Sequence, residues 1–202
     1  MPPDFSSAEY WEKRYKEGGN SGAGSYGRLA VFKAEVINKF ITERGLKKVM
    51  EFGCGDGNQL ALLKIEKYIG YDVSQTTLAN LKRKFKAEAR KKSFYHVSQY
   101  DGGRAELVLS LDVIFHLIED AVFEEYMSRL FQAAEKYVII YSSDEEPREA
   151  MATHFKHRPF SRWVSQNRPD WKLIEETKNP YPYDAANPNE TSAADFKIYG
   201  IS

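Results

Sequence analysis

The chain of 202 residues contains a single cysteine, Cys54. One cysteine excludes an intramolecular disulfide and a zinc site built from several cysteines. No uncharged run approaches the length needed to span a bilayer, and the N-terminus has no apolar segment of the signal-peptide type. We therefore expect a cytoplasmic protein that does not bind a membrane.

An excess of charge of either sign is also absent, because 29 basic side chains balance 29 acidic ones. A neutral total does not favour a protein that coats nucleic acid, although a local basic face stays compatible with it. Hydrophobic residues make up 42% of the chain, which excludes wholesale disorder and allows a substantial core. The length predicts one domain.

Several catalytic motifs are missing as well. The sequence has no His-x-x-x-His pair and no carboxylate cluster with ligand spacing, so no metal site is predicted. It also lacks the P-loop lysine motif and the Gly-x-Ser-x-Gly elbow, which argues against an NTPase and a serine hydrolase.

The most informative stretch present is VMEFGCGDGNQL at 49–60. A short apolar run at 47–52 predicts a buried strand, and the leucines at 60–63 predict the start of a helix. Gly53, Gly55 and Gly57 lie between them, which indicates either a ligand lying against the backbone or a tight turn without a ligand. A helix N-terminus after the glycines would also favour a negatively charged group.

Acidic residues flank this glycine turn. Glu51 precedes the first glycine by two residues, and Asp72 ends a second apolar run about twenty residues further on. That spacing fits a β-α-β unit in which the second strand presents an acid to the hydroxyl groups of a ribose.

The segments EFGCGDG and GYDVS together resemble the class I S-adenosylmethionine-dependent methyltransferases, in which an acid precedes Gly-x-Gly-x-Gly. The dehydrogenase fingerprint would instead need a small residue where Asn58 stands. The resemblance implies S-adenosylmethionine as cofactor and S-adenosylhomocysteine as product. In these segments it implies cofactor contacts from Glu51, Gly53, Cys54, Gly55, Asp72 and Val73, and at the end of the fourth predicted strand from Leu111.

The order of the remaining elements extends the pattern. Apolar runs predict strands at 47–52, 68–72, 93–97, 107–111, 136–143, 172–177 and 195–201, with amphipathic helices between most of them. We therefore predict an α/β fold with a doubly wound, mostly parallel seven-stranded sheet, an antiparallel C-terminal strand and helices on both faces. Within the single domain we expect an N-terminal helical and lid part (1–45), a cofactor-binding half (46–142) and a substrate-side half (143–202).

Between a short amphipathic helix predicted at the N-terminus and a second helix predicted at 28–44, five glycines occur from Gly18 to Gly27. Such a segment is a flexible linker or, by the resemblance, a lid over the cofactor. In the second case Tyr26 and Arg28 would reach the methionine carboxylate, which suits guanidinium geometry. After the third predicted strand, the family pattern implies that Asp101 binds the adenine amino group with Tyr100 beside the ring; the alternative is an ordinary Asp-Gly turn.

The stretch LDVIFHL at 111–117 resembles the segment that follows the fourth strand in many members of the family. His116 is our candidate general base, because an imidazole titrates near neutral pH. The alternative is a packed histidine between Phe115 and Leu117.

The segment 145–171 combines basic and aromatic side chains. We expect a small hydroxylated or amino metabolite as the methyl acceptor, bound under the lid. Nucleic acid or protein is the second class of acceptor, for which this segment would supply cations and stacking rings. A cofactor-binding protein without catalytic activity is the third alternative.

Overall fold

A computed structural model describes residues 5–147 and 153–201 of the chain. The strands are β1 (Lys48–Phe52), β2 (Lys67–Asp72), β3 (Lys92–His96), β4 (Ala105–Leu111), β5 (Ala134–Ser142), β6 (Trp171–Thr177) and β7 (Asp195–Ile201). The helices are α1 (Ser7–Lys16), α2 (Gly27–Arg44), α3 (Gln75–Lys84), α4 (Asp120–Gln132) and α5 (Phe160–Asn167).

These strands form one sheet in the order β3-β2-β1-β4-β5-β7-β6. The first five strands are parallel to one another. β7 runs antiparallel to both β5 and β6. The predicted doubly wound, mostly parallel seven-stranded sheet with an antiparallel C-terminal strand is therefore confirmed. The strand order reverses between β1 and β4, and ligands of open α/β sheets bind beyond the carboxyl ends of the strands at such a reversal.

The core occupies both faces of the sheet, because successive side chains of a strand point to opposite faces. On one face Met50 and Phe52 pack with the apolar sides of α4 and α5. On the other face Val49 packs with α2. Central strands covered on both faces are continuously apolar, which is why β4 and β5 could be predicted from composition.

Helix ends follow the local rules of capping. The Ser6 side chain accepts a hydrogen bond from the backbone of Glu9 at 3.2 Å and begins α1. Ser74 accepts one from Thr77 at 3.1 Å and begins α3. Both serines satisfy a backbone N–H group that a helix leaves unpaired in its first turn. Gly45 ends α2 in the left-handed conformation, with φ of 61°.

The structure differs from the sequence predictions at two places. The helix expected after the glycine turn is a single 3-10 turn, Leu60–Leu62. Only four residues separate this turn from β2, so the chain has no room for a longer helix, and the helix dipole expected at the glycine turn is absent. No helix was predicted at α5, although its buried Phe160, Trp163 and Val164 follow helical spacing. Among the described residues, no helix is long and apolar enough to cross a membrane.

Candidate functional site

The glycine turn after β1 is tied to the neighbouring strand. The backbone N–H groups of Gly53 and Cys54 both donate to the carbonyl of Tyr71, at 2.7 and 3.1 Å. Gly53, Gly55 and Gly57 all have positive φ, of 84°, 54° and 69°, a region that favours glycine.

Protein atoms occupy the space that side chains at these glycines would need. A Cβ at Gly53 would collide with Val113, and a Cβ at Gly55 would collide with the hydroxyl of Ser21. At Gly57 a Cβ would lie 2.5 Å from Leu81. The glycines therefore let the chain pack closely on itself, as well as shaping the turn.

Asp72 lies at the carboxyl end of β2, next to the turn. Its carboxylate accepts hydrogen bonds from the backbone of Gly55 at 2.9 Å and of Ser74 at 3.0 Å. Burial raises the pKa of this carboxyl above its ordinary value, while the two backbone donors oppose the shift. Each carboxylate oxygen retains further acceptor capacity.

Glu51 precedes the turn and is 3% exposed. Tyr68 donates a hydrogen bond to its carboxylate. Burial raises the pKa of Glu51 to about 7, against the lowering effects of Tyr68 and Lys33. Burial likewise raises the pKa of the Cys54 thiol, so this cysteine is a neutral buried side chain.

A cavity of about 380 Å³ lies beyond the carboxyl ends of β1, β2 and β4. It is covered by α1 and by the glycine-rich segment 17–26, whose Ser21 and Ser25 line it. The segment expected to be either a linker or a lid is therefore a cover over this cavity. The predicted site residues that line the cavity are Glu51, Gly53, Cys54, Gly55, Asp72, Val73, Leu111 and His116.

Hydrogen bonds join this lid to the turn. The backbone of Ser21 donates to the Asp56 carboxylate at 2.9 Å, and Asp56 donates through its backbone to the Ser21 hydroxyl at 2.8 Å. Glu12 belongs to α1, the helix that precedes the lid, and accepts from the hydroxyls of Ser74 and Thr76, at 2.6 and 2.8 Å. Together, α1 and the lid therefore contact the start of α3 as well as the glycine turn.

Two predicted site residues, Tyr26 and Arg28, lie outside the cavity lining and bind other protein groups. The Tyr26 hydroxyl donates to Asp56 at 2.8 Å. Arg28 donates to the carbonyl of Glu190 at 2.7 Å, and its guanidinium lies 4.3 Å from the ring centroid of Tyr181. Arg28 thus connects the start of α2 to the long loop between β6 and β7.

The two predicted residues after β3 also lie outside the cavity lining. The Tyr100 hydroxyl donates to the carbonyl of Gly103 at 3.0 Å. Asp101 is exposed and accepts from the backbone of Gly103 at 3.1 Å, which is the Asp-Gly turn arrangement. Val97 and Ser98 line the cavity at this strand end instead.

His116 lines the cavity from the 3-10 turn Ile114–His116. Its Nδ1 lies 2.8 Å from the carbonyl oxygen of His154. Because a carbonyl only accepts, Nδ1 carries the hydrogen, and Nε2 of the neutral ring is left as an acceptor. Burial lowers the pKa of His116 to about 4, so the ring is neutral at pH 7.

The polar residues of the cavity wall that the sequence did not predict include Lys33, Gln59 and Asp112. Lys33 forms an ion pair with Asp112 although 79 residues separate them. Gln59 donates to the carbonyl of Ala30 at 3.1 Å, while its buried Oε1 has no partner among the described residues. Nothing local in the sequence marks such pairs, because helix α2 brings them together in three dimensions.

The basic side chains near α5 are engaged within the protein. Arg158 is buried and donates to the carbonyls of Leu117 and Ile118 and to Asp120. Lys156 also pairs with Asp120, at 2.6 Å. In residues 5–147 and 153–201, no group of three or more His, Cys, Asp or Glu side chains is placed to hold a metal ion.

Part of the chain matches a known protein family. Residues 49–136 match the family model described as a methyltransferase domain. No curated protein sequence matches the chain.

Solved structures share the fold at low sequence identity. Magnesium protoporphyrin IX methyltransferase from Synechocystis PCC 6803, solved with bound SAM, aligns over 100% of both chains at 14% identity with a TM-score of 0.69. N-methyltransferase NodS from Bradyrhizobium japonicum WM9 aligns over 98% of this chain and 99% of its own at 11% identity, with a TM-score of 0.69. The methyltransferase domain of bacterial CtHen1 aligns over 84% of this chain and 97% of its own at 17% identity, with a TM-score of 0.65.

The matching segment covers the glycine turn, Asp72 and His116, and the fold of the chain is shared with these enzymes. Residues 49–136 therefore match a methyltransferase domain, and the chain shares the fold of these S-adenosylmethionine-dependent methyltransferases.

Proposed function

We propose that this protein transfers the methyl group of S-adenosylmethionine to an oxygen or nitrogen of a small-molecule acceptor. The observation that carries the proposal is the covered cavity of about 380 Å³ at the point where the strand order reverses. Its volume lies near the lower end of the range of roughly 300–1,000 Å³ that is usual for small-molecule sites.

The cavity has the groups that this cofactor needs. Asp72, with spare acceptor capacity at the end of β2, suits the two ribose hydroxyls, and Val97 and Ser98 offer a partly apolar wall for the adenine. Gln59 adds a buried acceptor for which the described residues supply no donor, which calls for a donor on a ligand. Residues, polarity and position therefore fit S-adenosylmethionine.

When bound, the cofactor supplies a methyl group on a sulfonium, and the electrons of the broken S–C bond remain on sulfur, giving the neutral thioether of S-adenosylhomocysteine. The protein has to hold the attacking atom in line and accept its proton. We assign proton acceptance to Nε2 of His116. A hydroxyl oxygen that has just gained a methyl is a strongly acidic oxonium, so a weakly basic imidazole suffices to take its proton, which then passes to water. An amine that has gained a methyl is a stable ammonium and can keep its proton until the product reaches water.

The covered site favours a small acceptor. Ser7, Trp11 and Tyr15 of α1 line the cavity, so a polymer chain could enter only after α1 moves. Arg158, a cation that a nucleic acid would need, is already bound to backbone carbonyls and Asp120 inside the protein. A small compound with a hydroxyl or amino group fits under α1 and does not need a free cation at Arg158.

The test uses methyl-labelled S-adenosylmethionine. The protein is incubated separately with three fractions of a cell extract, which contain low-molecular-weight compounds, RNA and protein. We expect label in the low-molecular-weight fraction, and we expect the His116→Asn variant to transfer far less of it. Calorimetry with S-adenosylhomocysteine measures cofactor binding separately.

The remaining outcomes decide between the alternatives. Label in RNA or protein would overturn the small-molecule acceptor and favour the second class. Binding of S-adenosylhomocysteine without transfer to any fraction would favour a cofactor-binding protein without catalytic activity. Absence of binding would refute the cofactor site itself.

A further inference from the structure

Asp112 has an unusual backbone conformation directly after β4. Its φ of 58° is the only positive value at a non-glycine residue in the described part of the chain. A left-handed conformation at a residue other than glycine costs roughly 1 kcal/mol, although aspartate and asparagine tolerate it better than most. Such strain persists where the surrounding structure enforces it, often at a functional site.

Lys33 of α2 enforces the position of the Asp112 side chain. The lysine is fully buried, with a relative exposure of 0%, and its ammonium pairs with Oδ2 of Asp112. A buried ion pair contributes little net stability because both groups lose their water, so stability alone is a weak reason for it. Gly24 of the lid packs against the same carboxylate, since a Cβ there would lie 2.6 Å from Oδ2.

The other carboxylate oxygen is open. Oδ1 of Asp112 has no hydrogen-bond donor among residues 5–147 and 153–201, and the side chain is 14% exposed at the cavity wall. Oε1 of Gln59, in the same wall, also has no donor within the described chain. Two unfilled acceptors in one wall indicate a ligand group with several N–H bonds.

The position of Asp112 identifies that group, on the premise of the proposed function. The strand ends follow the order β2, β1, β4, so a cofactor whose ribose lies at Asp72 places its amino-acid portion past the glycine turn. Val113 packs against Gly53 and thereby places Asp112 beside that turn. We propose that Oδ1 of Asp112 binds the α-ammonium of S-adenosylmethionine, and that Lys33 is the positioning residue that holds Asp112 in place.

The experiment compares two ligands by calorimetry. One is S-adenosylhomocysteine, and the other is its deamino analogue, in which hydrogen replaces the α-ammonium. Asp112→Asn suits the test because asparagine tolerates positive φ and keeps an oxygen for Lys33, while its amide N–H₂ replaces Oδ1. We expect this variant to bind S-adenosylhomocysteine about 10- to 100-fold more weakly, and to bind the deamino analogue as the wild type does.

Lys33→Met provides the second arm. We expect the same selective loss, and no further loss when Lys33→Met is combined with Asp112→Asn, because the lysine acts through the carboxylate. Equal weakening of both ligands by Asp112→Asn, or wild-type protein that binds both ligands equally, would overturn the proposal. The wild-type comparison decides the question even if a variant does not fold. Wild-type protein that binds neither ligand would instead refute the proposed function.

Discussion

The hydroxyl of Tyr68 donates a hydrogen bond to the carboxylate of Glu51, and both side chains are almost completely buried beneath the glycine turn. Burial raises the pKa of Glu51 to about 7, and the partial compensation comes from Tyr68 and Lys33. The carboxyl is therefore half protonated near pH 7 in the ligand-free protein. A cation placed nearby would favour its ionised form.

We predict that cofactor binding releases a proton. The ammonium of S-adenosylhomocysteine should lower the pKa of Glu51, so up to one proton leaves on binding near and below pH 7. Release should vanish well above pH 7, where Glu51 is already ionised. Calorimetric titrations at pH 6.5 in buffers with different ionisation enthalpies measure the number of protons released.

Glu51→Gln is the matched control for this titration. The amide keeps an oxygen for the Tyr68 hydroxyl but does not titrate, so the dependence of the binding enthalpy on buffer should disappear. A variant with unchanged proton release would show that another group titrates. Asp72 is the next candidate, because burial also raises the pKa of its carboxyl.

His116 leads to a prediction about stability and pH. Its pKa is about 4 in the folded protein, below the ordinary value of 6.5 for an unfolded chain. The unfolded state therefore binds a proton first as the pH falls, so the stabilising contribution is complete above pH 6.5 and is lost as the pH approaches 4. The difference corresponds to about 3 kcal/mol in the free energy of unfolding.

His116→Asn tests this contribution. The asparagine amide can still donate to the carbonyl of His154, whereas the titrating ring is gone. We expect urea denaturation to show a smaller loss of stability between pH 7 and pH 4.5 in the variant than in the wild type. Parallel curves for the two proteins would place the acid sensitivity elsewhere.

Glu12 should control the opening of the lid. Its carboxylate accepts from Ser74 and Thr76 at the start of α3, and these donors lower its pKa to about 2 even though burial opposes them. Glu12→Ala should increase hydrogen exchange across α1 and raise the rates at which S-adenosylhomocysteine enters and leaves. Exchange mass spectrometry and stopped-flow fluorescence of Trp11 measure the two effects.

Glu17→Ala is the matched control for Glu12. Glu17 follows α1, and its side chain forms an exposed pair with Lys13 at 3.9 Å, which contributes little. We expect it to leave both exchange and ligand kinetics close to those of the wild type. Equal effects of the two variants would show that fraying of α1, and not its contact with α3, sets the rates.

Much of the fold could be predicted because its signals are local. Ser6 and Ser74 begin helices through contacts three residues away, and the strands of the parallel sheet are apolar because both faces are covered. The glycine turn and Asp72 could be placed for the same reason, since one β-α-β unit contains both. The resemblance to the class I methyltransferases rested on that unit.

The parts that could not be predicted depend on distant contacts. The pairing of Lys33 with Asp112 spans 79 residues, and the contact between Arg28 and Glu190 spans 162. Asp101 lies away from the cavity because a 3-10 turn, Val97–Gln99, follows β3 immediately and places Ser98 at the wall. A sequence pattern reveals the type of a residue, but its partner depends on how the elements pack.

Arg158 offers a test of whether the basic segment serves structure or nucleic-acid binding. Its guanidinium bonds two backbone carbonyls and Asp120 while buried at 6% exposure. Arg158→Lys keeps the charge but loses the fork geometry, so we expect the free energy of unfolding to fall by about 2–4 kcal/mol. Arg162→Lys, whose pair with Glu146 is exposed, should change stability by less than about 0.5 kcal/mol. Chemical denaturation measures both. A wild-type affinity for RNA that falls steeply with salt would contradict a purely structural role for this segment.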